Sequence, residues 1–188
     1  MDRLGLSDGG RAPRIGRAHR FDQAPNTLIV RVLGIVGWSG SGKTTLLTKL
    51  IPLLRAQGLT VSTVKHTHHG FDMDRPGKDT YRHREAGAHE VLVAAGTRWA
   101  LLHEVVGREP ELPELLARMQ PVDLVLVEGY KTHRFPKLEV HRTALGKPPI
   151  WPDQPDIVAI AADAPISADR FVLPLNDPAA IVAWIVAS

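Results

Sequence analysis

The sequence predicts an α/β domain in which a mostly parallel β-sheet lies between two layers of helices, with an additional short antiparallel element. Short β-branched runs alternate along the chain with segments of helical periodicity, and a glycine-rich loop joins the first strand to the first helix. The chain has 188 residues, of which 44% are hydrophobic, so it is long enough to bury one core. We therefore expect a single three-layer domain.

The first predicted unit consists of a strand, a loop and a helix. Residues 28–36 form a β-branched run interrupted by one arginine, which is typical of a strand buried on both faces of a parallel sheet. The loop that follows reads Gly37-Trp-Ser-Gly-Ser-Gly-Lys-Thr44, and beyond it leucine and isoleucine recur at helical spacing. Pro52 cannot donate a helical backbone hydrogen bond, so we expect a kink or an early last turn there.

The remaining predicted strands are short and apolar, and they span residues 60–65, 91–94, 99–103, 124–127, 138–141 and 157–161. The two runs on either side of Gly96 predict an antiparallel hairpin, and residues 138–141 predict an edge strand before a proline-rich stretch. Three further helices are predicted. The first begins near an Asp79 cap and the second spans residues 111–119. The third, an amphipathic helix, runs from Pro178 through Ala187 with Asp177 as its cap.

Composition and charge argue against several classes of function. The chain has no cysteine, so it has no disulfide, thiolate nucleophile or cysteine-ligated cluster, and we expect a cytoplasmic protein. It contains neither an 18-residue apolar run nor the apolar core of a signal peptide, so we expect no membrane partner. The net charge is +3, but residues 1–27 hold five arginines against three aspartates, which leaves the rest nearly neutral. We therefore expect no nucleic-acid partner.

Residues 1–27 form an Arg-rich segment that we predict to be a disordered extension. Glycine, proline, aspartate and serine occur throughout it, and large apolar residues are few. A basic arm that contacts a partner is the alternative interpretation. The folded domain is accordingly expected over residues 28–188.

The glycine-rich loop predicts a phosphate-binding site. Its pattern, Gly-x-x-x-x-Gly-Lys-Thr, lies between a predicted strand and a predicted helix, which indicates a P-loop NTPase-like domain. Gly37, Gly40 and Gly42 allow the backbone to curl so that its N–H groups meet phosphates at the positive end of the helix. Lys43 is expected to contact the β- and γ-phosphate oxygens, and the Thr44 hydroxyl is expected to bind Mg²⁺.

A magnesium site also requires a carboxylate at the carboxyl end of a neighbouring parallel strand. Asp123 precedes the run Leu-Val-Leu-Val and Glu128 follows it, so only one of them lies at the nucleotide end of that strand. Because this strand runs parallel to the first, we predict Glu128 as a direct or indirect ligand of Mg²⁺ and Asp123 as a strand-start residue. Most such loops use aspartate at this position, and glutamate is a departure.

The segment after the second predicted strand allows three interpretations. Its metal-ligating and charged residues are His66, His68, His69, Asp72, Asp74, Arg75 and Lys78. As a polar loop on the nucleotide side of the sheet, it would place its two basic residues near phosphates or another anionic ligand. The histidines would suit Zn²⁺ or Ni²⁺, and a solvated loop without a ligand is the third interpretation. We favour the phosphate or substrate loop, with Arg75 as a nucleotide contact.

Four segments of the chain resemble the MobB family of molybdenum cofactor biosynthesis. They read GWSGSGKTTLLTKLIP, KHTHHGFDMDRPGKDTYRHREAGA, DLVLVEGYK and IVAIAADAPI, and the resemblance extends from about Leu28 to the C-terminus. Many families share the phosphate loop, but the other segments at these separations are specific. The resemblance implies a P-loop domain with extra strands that forms a homodimer, binds GTP and Mg²⁺, and hydrolyses GTP weakly.

The resemblance also implies a partner and a set of contacts. The partner in the family is MobA, a guanylyltransferase that joins GMP from GTP to molybdopterin, so molybdopterin is an expected ligand of the complex. Mg²⁺ would be held through Thr44 and near Glu128. Carried over to this chain, the phosphate contacts fall on Gly40, Ser41, Gly42, Lys43, Thr44 and Thr45.

Asp163 is the predicted base contact. It follows the strand predicted over residues 157–161, where a carboxylate can accept both N1–H and N2–H of guanine. The Asn-Lys-x-Asp pattern of most GTPases is absent from the chain, so the preference for guanine follows from the resemblance alone.

Lys43 and Mg²⁺ would stabilise charge on the γ-phosphoryl group during hydrolysis. No residue that orients water can be identified from the pattern, and His66, His68 and Asp72 are candidates. One alternative function is a non-hydrolysing adaptor that delivers GTP or the pterin. The other is a metallochaperone GTPase that uses the histidines.

Overall fold

The structure is a computed structural model that describes residues 31–67, 70–71 and 73–188. Its strands are β1 Arg31–Val36, β2 Val61–Lys65, β3 Glu90–Ala95, β4 Arg98–His103, β5 Leu124–Glu128, β6 Lys137–His141, β7 Ile157–Ala162 and β8 Phe171–Pro174. Its helices are α1 Lys43–Ala56, α2 Asp79–Glu85, α3 Leu112–Leu116 and α4 Pro178–Ala187, with 3₁₀ turns at Thr143–Leu145 and Trp151–Asp153. The predicted extension over residues 1–27 and the start of the first predicted strand lie outside the described residues.

Six strands form one sheet in the order β2-β5-β1-β6-β7-β8, and every pairing in it is parallel. β1 lies inside the sheet between β5 and β6. The register pairs Glu128, the last residue of β5, with Ile35 of β1 and with Lys65 of β2. The carboxyl ends of these three strands therefore meet at one edge, which is where ligands bind in open parallel sheets.

Helices and loops cover both faces of this sheet, which confirms the predicted α/β fold class. The apolar residues of α1 recur at helical spacing, and they pack together with α4 against one face; Leu50, Leu54, Ile181 and Ile185 are buried there. The alternate residues of the strands point to the other face, where α3 covers β5 and the turn at Trp151–Asp153 covers β7. Burying each such leucine or isoleucine stabilises the fold by roughly 1.5–3 kcal/mol.

β3 and β4 form a separate two-stranded antiparallel sheet, which confirms the predicted hairpin. This hairpin belongs to the connection from β2 to β5, together with α2 and α3. Leu92 pairs with Leu101, and Ala94 pairs with Trp99, so these four side chains share one face of the hairpin. Leu92 is 60% exposed and Trp99 is 62% exposed. The hairpin therefore presents an apolar face to solvent.

β6 lies inside the sheet, so the prediction of an edge strand was wrong. The proline-rich stretch that follows the strand favoured an edge position, but all five residues of β6 are buried. The polar residues of β6 tolerate burial because they have internal partners. Lys137 is fully buried, and its Nζ donates to the carbonyl oxygens of His133 and Phe135 and lies 3.8 Å from Asp156 Oδ2.

The helices differ from prediction at their ends. α1 continues through Pro52 to Ala56, so its last turn does not come early, and α3 ends at Leu116. The N-cap of α2 is Lys78, so Asp79 is the first helical residue and not the predicted cap.

The two C-terminal elements, α4 and β8, agree with the prediction only in part. The Asp177 carboxylate accepts the Ala180 N–H at 3.1 Å, which confirms the predicted cap of α4. The ten residues of α4 are all apolar, so this helix is not amphipathic as predicted. The edge strand β8, Phe171–Pro174, was not predicted. In the described ranges, no helix is long and apolar enough to cross a bilayer.

Candidate functional site

The loop between β1 and α1 folds around its glycines. Gly37, Gly40 and Gly42 have φ values of 151°, 81° and 96°, a backbone region that favours glycine. A Cβ at Gly37 would lie 2.6 Å from the Val140 carbonyl oxygen and 2.7 Å from Ser41 Oγ, so the start of the loop packs directly against β6. Gly42 caps α1 without a side-chain acceptor, and the first turn of α1 has no acidic residue. The N–H groups at this helix end therefore suit an anion.

Ser41 and Lys43 fill the inside of the loop. Ser41 is buried, and among the residues that the structure describes its Oγ has no hydrogen-bond partner. Lys43 Nζ donates to the carbonyl oxygens of Gly37 and Trp38 at 3.1 and 2.9 Å. Burial lowers the pKa of Lys43, an effect that Glu128 opposes and that two neighbouring lysines strengthen. A bound anion would favour the charged form of Lys43, so the electrostatics of the loop suit phosphate.

Thr44 and Glu128 meet at the carboxyl edge of the sheet. Thr44 Oγ1 donates to Glu128 Oε1 and Oε2 at 3.2 and 3.3 Å, and Lys65 Nζ lies 3.9 Å from Oε1. Asp123 precedes the other end of β5, where hydrogen bonds from Thr60 lower its pKa. The structure thus places Glu128, and not Asp123, beside the glycine loop.

Mg²⁺ fits the pair formed by Thr44 and Glu128. A hydroxyl and a carboxylate are the oxygen ligands that this cation takes, and it keeps several water or phosphate ligands besides. Thr44 is exposed and Glu128 is half-buried, so solvent and a phosphate group can reach the space between them.

The chain turns sharply directly after β5. Gly129 has a φ of 103°, and a Cβ there would lie 3.0 Å from His66 Cβ. Tyr130 has a φ of 50°, which costs a residue with a side chain about 1–2 kcal/mol. Packing offsets this cost, because the Tyr130 ring is buried with its centroid 4.5 Å from that of His66 and 4.7 Å from that of His133. The aromatic rings therefore hold a strained turn beside the loop.

Trp38, the second residue of the loop, lies beside two lysines. Lys131 Nζ is 5.0 Å from the centroid of the Trp38 ring, and Lys147 Nζ is 6.0 Å from it. Trp38 Nε1 donates to the Pro148 carbonyl oxygen at 2.7 Å. These contacts bring the turn after β5 and the segment after β6 to the rim of the loop and make that rim positively charged.

Arg142 connects the loop to Asp163. Arg142 Nε donates to the Ser41 carbonyl oxygen at 3.3 Å, and Nη1 lies 3.4 Å from Asp163 Oδ2. Asp163 Oδ1 accepts the backbone N–H and the hydroxyl of Thr143, and these hydrogen bonds lower the Asp163 pKa. Asp163 therefore lies at the carboxyl end of β7 with both carboxylate oxygens engaged. A contact with guanine would have to replace one of these hydrogen bonds.

Arg75 is not brought to the loop. It lies exposed in the turn before α2, and its backbone N–H donates to Asp74 Oδ1, which also accepts the Thr80 hydroxyl. Within the described part of the chain, no hydrogen bond or ion pair joins Arg75 to the glycine loop.

The predicted histidine cluster is only partly described. His68, His69 and Asp72 lie outside the described residues. His66 Nε2 lies 2.9 Å from Glu109 Oε1. Across the residues that the structure describes, no group of three or more histidines, aspartates or glutamates is arranged to hold a metal ion.

Two basic residues at the site were missed by sequence reasoning. Lys131 ends the segment Val-Glu-Gly-Tyr-Lys, and its position three residues after Glu128 was a signal that could have identified it. Arg142 directly follows β6, and this arginine was overlooked because the strand was predicted to lie at the edge of the sheet. Both side chains reach the loop from neighbouring strands.

Residues 32–163 match the family described as MobB: Molybdopterin guanine dinucleotide synthesis protein B. A relative from Escherichia coli (strain K12), named molybdopterin-guanine dinucleotide biosynthesis adapter protein, is 40% identical over 162 residues, which cover 84% of this chain and 93% of the relative. A relative of the same name from Haemophilus influenzae is 43% identical over 150 residues, which cover 78% of this chain and 83% of the relative.

Solved structures show the same architecture. The crystal structure of molybdopterin-guanine biosynthesis protein B (mobB) has a TM-score of 0.68 at 27% identity and covers 83% of this chain and 98% of its own. The MobB protein homolog from Bacillus stearothermophilus has a TM-score of 0.59 at 28% identity over 83% and 95% of the two chains. Because the family match spans most of the described domain and the relatives align over most of their length, the chain belongs to the MobB family.

Proposed function

We propose that this chain is a cytoplasmic adapter protein of molybdopterin guanine dinucleotide biosynthesis that binds GTP and Mg²⁺ and assists the guanylyltransferase MobA. Relatives at 40% and 43% identity are named adapter proteins of this biosynthesis, which supports the role. Nucleotide binding rests on one observation: the Thr44 hydroxyl meets the Glu128 carboxylate beside the loop that holds Lys43. Molybdopterin would be bound by the complex with the transferase.

The residues of the chain would bind the nucleotide and stabilise its charge. Lys43 would donate to the β- and γ-phosphate oxygens, and the backbone N–H groups from Gly40 to Thr45 would surround the phosphates. Thr44 Oγ1 and Glu128 would hold Mg²⁺, which withdraws charge from phosphate oxygens when bound. Because Glu128 already contacts Thr44 and Lys65, it would bind the metal and would not orient the attacking water, in keeping with weak GTPase activity.

Guanine selectivity is assigned to Asp163 in this proposal. Its carboxylate is ionised, since hydrogen bonds from Thr143 lower its pKa, and an ionised carboxylate accepts both N1–H and N2–H of guanine. Adenine has no N–H at N1 and cannot donate in this way. Arg142 would keep the carboxylate oriented while the base replaces Thr143.

The test of the adapter role is cofactor formation by purified MobA with GTP, Mg²⁺ and molybdopterin. We expect the wild-type chain to increase the rate at which the guanine dinucleotide forms, and the Lys43→Ala variant at the same concentration to leave the rate near that of MobA alone. The product is measured by chromatography. An unchanged rate with the wild-type chain, at a concentration above that of MobA, would count against the adapter role.

The exposed hairpin supports the further proposal that two copies of this chain form a homodimer. Leu92, Trp99 and Leu101 form a contiguous apolar face that stands apart from the main sheet. The apolar centre of this face can pair with the same face of a second copy across a twofold axis, as the apolar cores of homodimer interfaces do. Apolar side chains of this kind rarely remain exposed together in a monomer.

Placing a charge on this face should separate the two copies. We expect Trp99→Glu to weaken dimerisation by about 2–4 kcal/mol, because a buried aromatic anchor is lost and a carboxylate is desolvated. Sedimentation velocity measures the change as a shift from dimer to monomer. Phe171→Glu, at the far edge of the main sheet, is the matched control and should remain dimeric. A monomeric wild-type chain would rule out this interface.

A further inference from the structure

Lys131 brings to the glycine loop a positive charge that has no role in the nucleotide site proposed above. Its Nζ lies 5.0 Å from the centroid of the Trp38 ring. Lys43 Nζ approaches the same residue from another direction and donates to the Trp38 carbonyl oxygen at 2.9 Å. The two ammonium groups therefore flank one residue of the loop, and Lys131 is one of the charges that lower the pKa of Lys43.

The charges around the loop leave Lys131 without a counter-ion. Lys65 has one, because its Nζ lies 3.9 Å from Glu128 Oε1, and the same carboxylate attracts Lys43. In the part of the chain that the structure describes, no ion pair includes Lys131. Lys43 thus has two lysines, Lys65 and Lys131, and one carboxylate, Glu128, as its charged neighbours, an excess of positive charge that an added anion stabilises.

The strained turn after β5 fixes the position of Lys131. Gly129 and Tyr130 have φ values of 103° and 50°, and the Tyr130 ring is buried against His66. The residue that follows is therefore anchored at its backbone next to the loop. Strain that the surrounding structure maintains in this way is typical of sites where a side chain must be held in place for a ligand.

We propose that Lys131 binds the terminal phosphate of a nucleoside triphosphate held in the loop and so makes the site prefer a triphosphate to a diphosphate. The inference rests on the proposed function, since it requires that the loop binds GTP. Glu128, at the start of the same turn, lies beside the proposed Mg²⁺ ligand Thr44, and magnesium in such sites bridges the β- and γ-phosphates. A cation three residues further along that turn is therefore positioned for the γ-phosphate, which a diphosphate lacks.

Calorimetric titration of the full chain with GTP and with GDP, both with Mg²⁺, tests this role. Lys131→Met removes the charge and keeps a long side chain beside Trp38. We expect the affinity of this variant for GTP to fall at least about tenfold and its affinity for GDP to change less than about twofold. Lys131→Arg keeps the charge and should retain most of the preference for GTP.

Lys147→Met is the matched control, because it removes the other lysine beside Trp38 and should leave the ratio of GTP to GDP affinity unchanged. Equal losses for the two nucleotides in Lys131→Met, no loss for either, or the same effect from Lys147→Met would overturn the inference. A wild-type chain that binds neither nucleotide would overturn the proposed function itself. Lys131→Gln provides the same comparison if the methionine variant loses its cooperative thermal unfolding.

Discussion

Replacing Lys43 with alanine is expected to lower the affinity for GTP about 100-fold while the domain stays folded. Truncating one partner of a desolvated charge contact costs roughly 2–5 kcal/mol, which corresponds to a loss of this size. The fold should survive, because the Lys43 ammonium donates to carbonyl oxygens of its own loop and burial disfavours its charged form. Calorimetric titration with GTP and Mg²⁺ measures the affinity, and thermal unfolding measures the stability.

Lys49→Ala is the matched control, since Lys49 is an exposed lysine of the same helix. It should bind GTP as the wild type does. An unchanged GTP affinity in Lys43→Ala would contradict the assignment of the loop as the phosphate site.

Single-turnover cleavage of GTP by the same proteins separates the two versions of the proposed function. Phosphate release that depends on Lys43 supports the weak GTPase. GTP binding by the wild type without any phosphate release supports the non-hydrolysing adaptor that delivers GTP or the pterin.

Glu139→Ala is expected to lower the free energy of unfolding by about 2–4 kcal/mol. Glu139 is fully buried in β6, and its carboxylate accepts the N–H groups of Ile150 and Trp151 at 3.1 and 2.8 Å. Alanine leaves these donors without an acceptor, at a cost of about 1–3 kcal/mol for a buried group, and it also creates a cavity. Chemical denaturation measures the free energy, and we expect the thermal midpoint to fall by roughly 5–15 °C.

Glu139→Gln separates the hydrogen bonds from the charge. Burial raises the pKa of Glu139, while the hydrogen bonds from Ile150 and Trp151 and the neighbouring His141 oppose the shift. Because the folded-state pKa lies above the ordinary value, the stability that this group contributes is present below that ordinary value and is lost as the pH rises through the folded-state pKa. Glutamine keeps an acceptor without the charge, so at neutral pH this variant should be at least as stable as the wild type.

Glu85→Ala removes an exposed carboxylate from the end of α2 and is the control for the effect of charge alone. Its unfolding midpoint should match that of the wild type. Wild-type stability in Glu139→Ala would show that the two N–H groups do not depend on this carboxylate.

The elements around the loop could be predicted because the signals that specify them are local. The glycines, Lys43 and the leucines of α1 lie within one short stretch, and the hairpin of β3 and β4 joins neighbours in sequence. Ligands bind at the carboxyl ends of the strands in an open parallel sheet, and this rule depends on strand direction alone. It therefore also placed Glu128 and not Asp123 at the nucleotide edge.

Features that depend on distant partners could not be predicted in this way. Lys137 and Glu139 have polar side chains, which are buried because they have partners further along the chain. Asp156 lies near Lys137, and the N–H groups of Ile150 and Trp151, within the proline-rich stretch, donate to Glu139. β8 was missed because it has four residues and ends in a proline, which weakens a strand signal and is tolerated only at a sheet edge.

The position of β1 in the sheet has a consequence for synthesis on the ribosome. Its two neighbours, β5 and β6, are translated roughly a hundred residues after it, so its pairing is of long range. The loop itself packs at Gly37 against the carbonyl of Val140 in β6. A nascent chain must therefore carry β1 and α1 without their neighbours until most of the domain has left the exit tunnel. GTP, if bound at this loop as proposed, would accordingly be a ligand of the completed chain and would not guide the early stages of its folding.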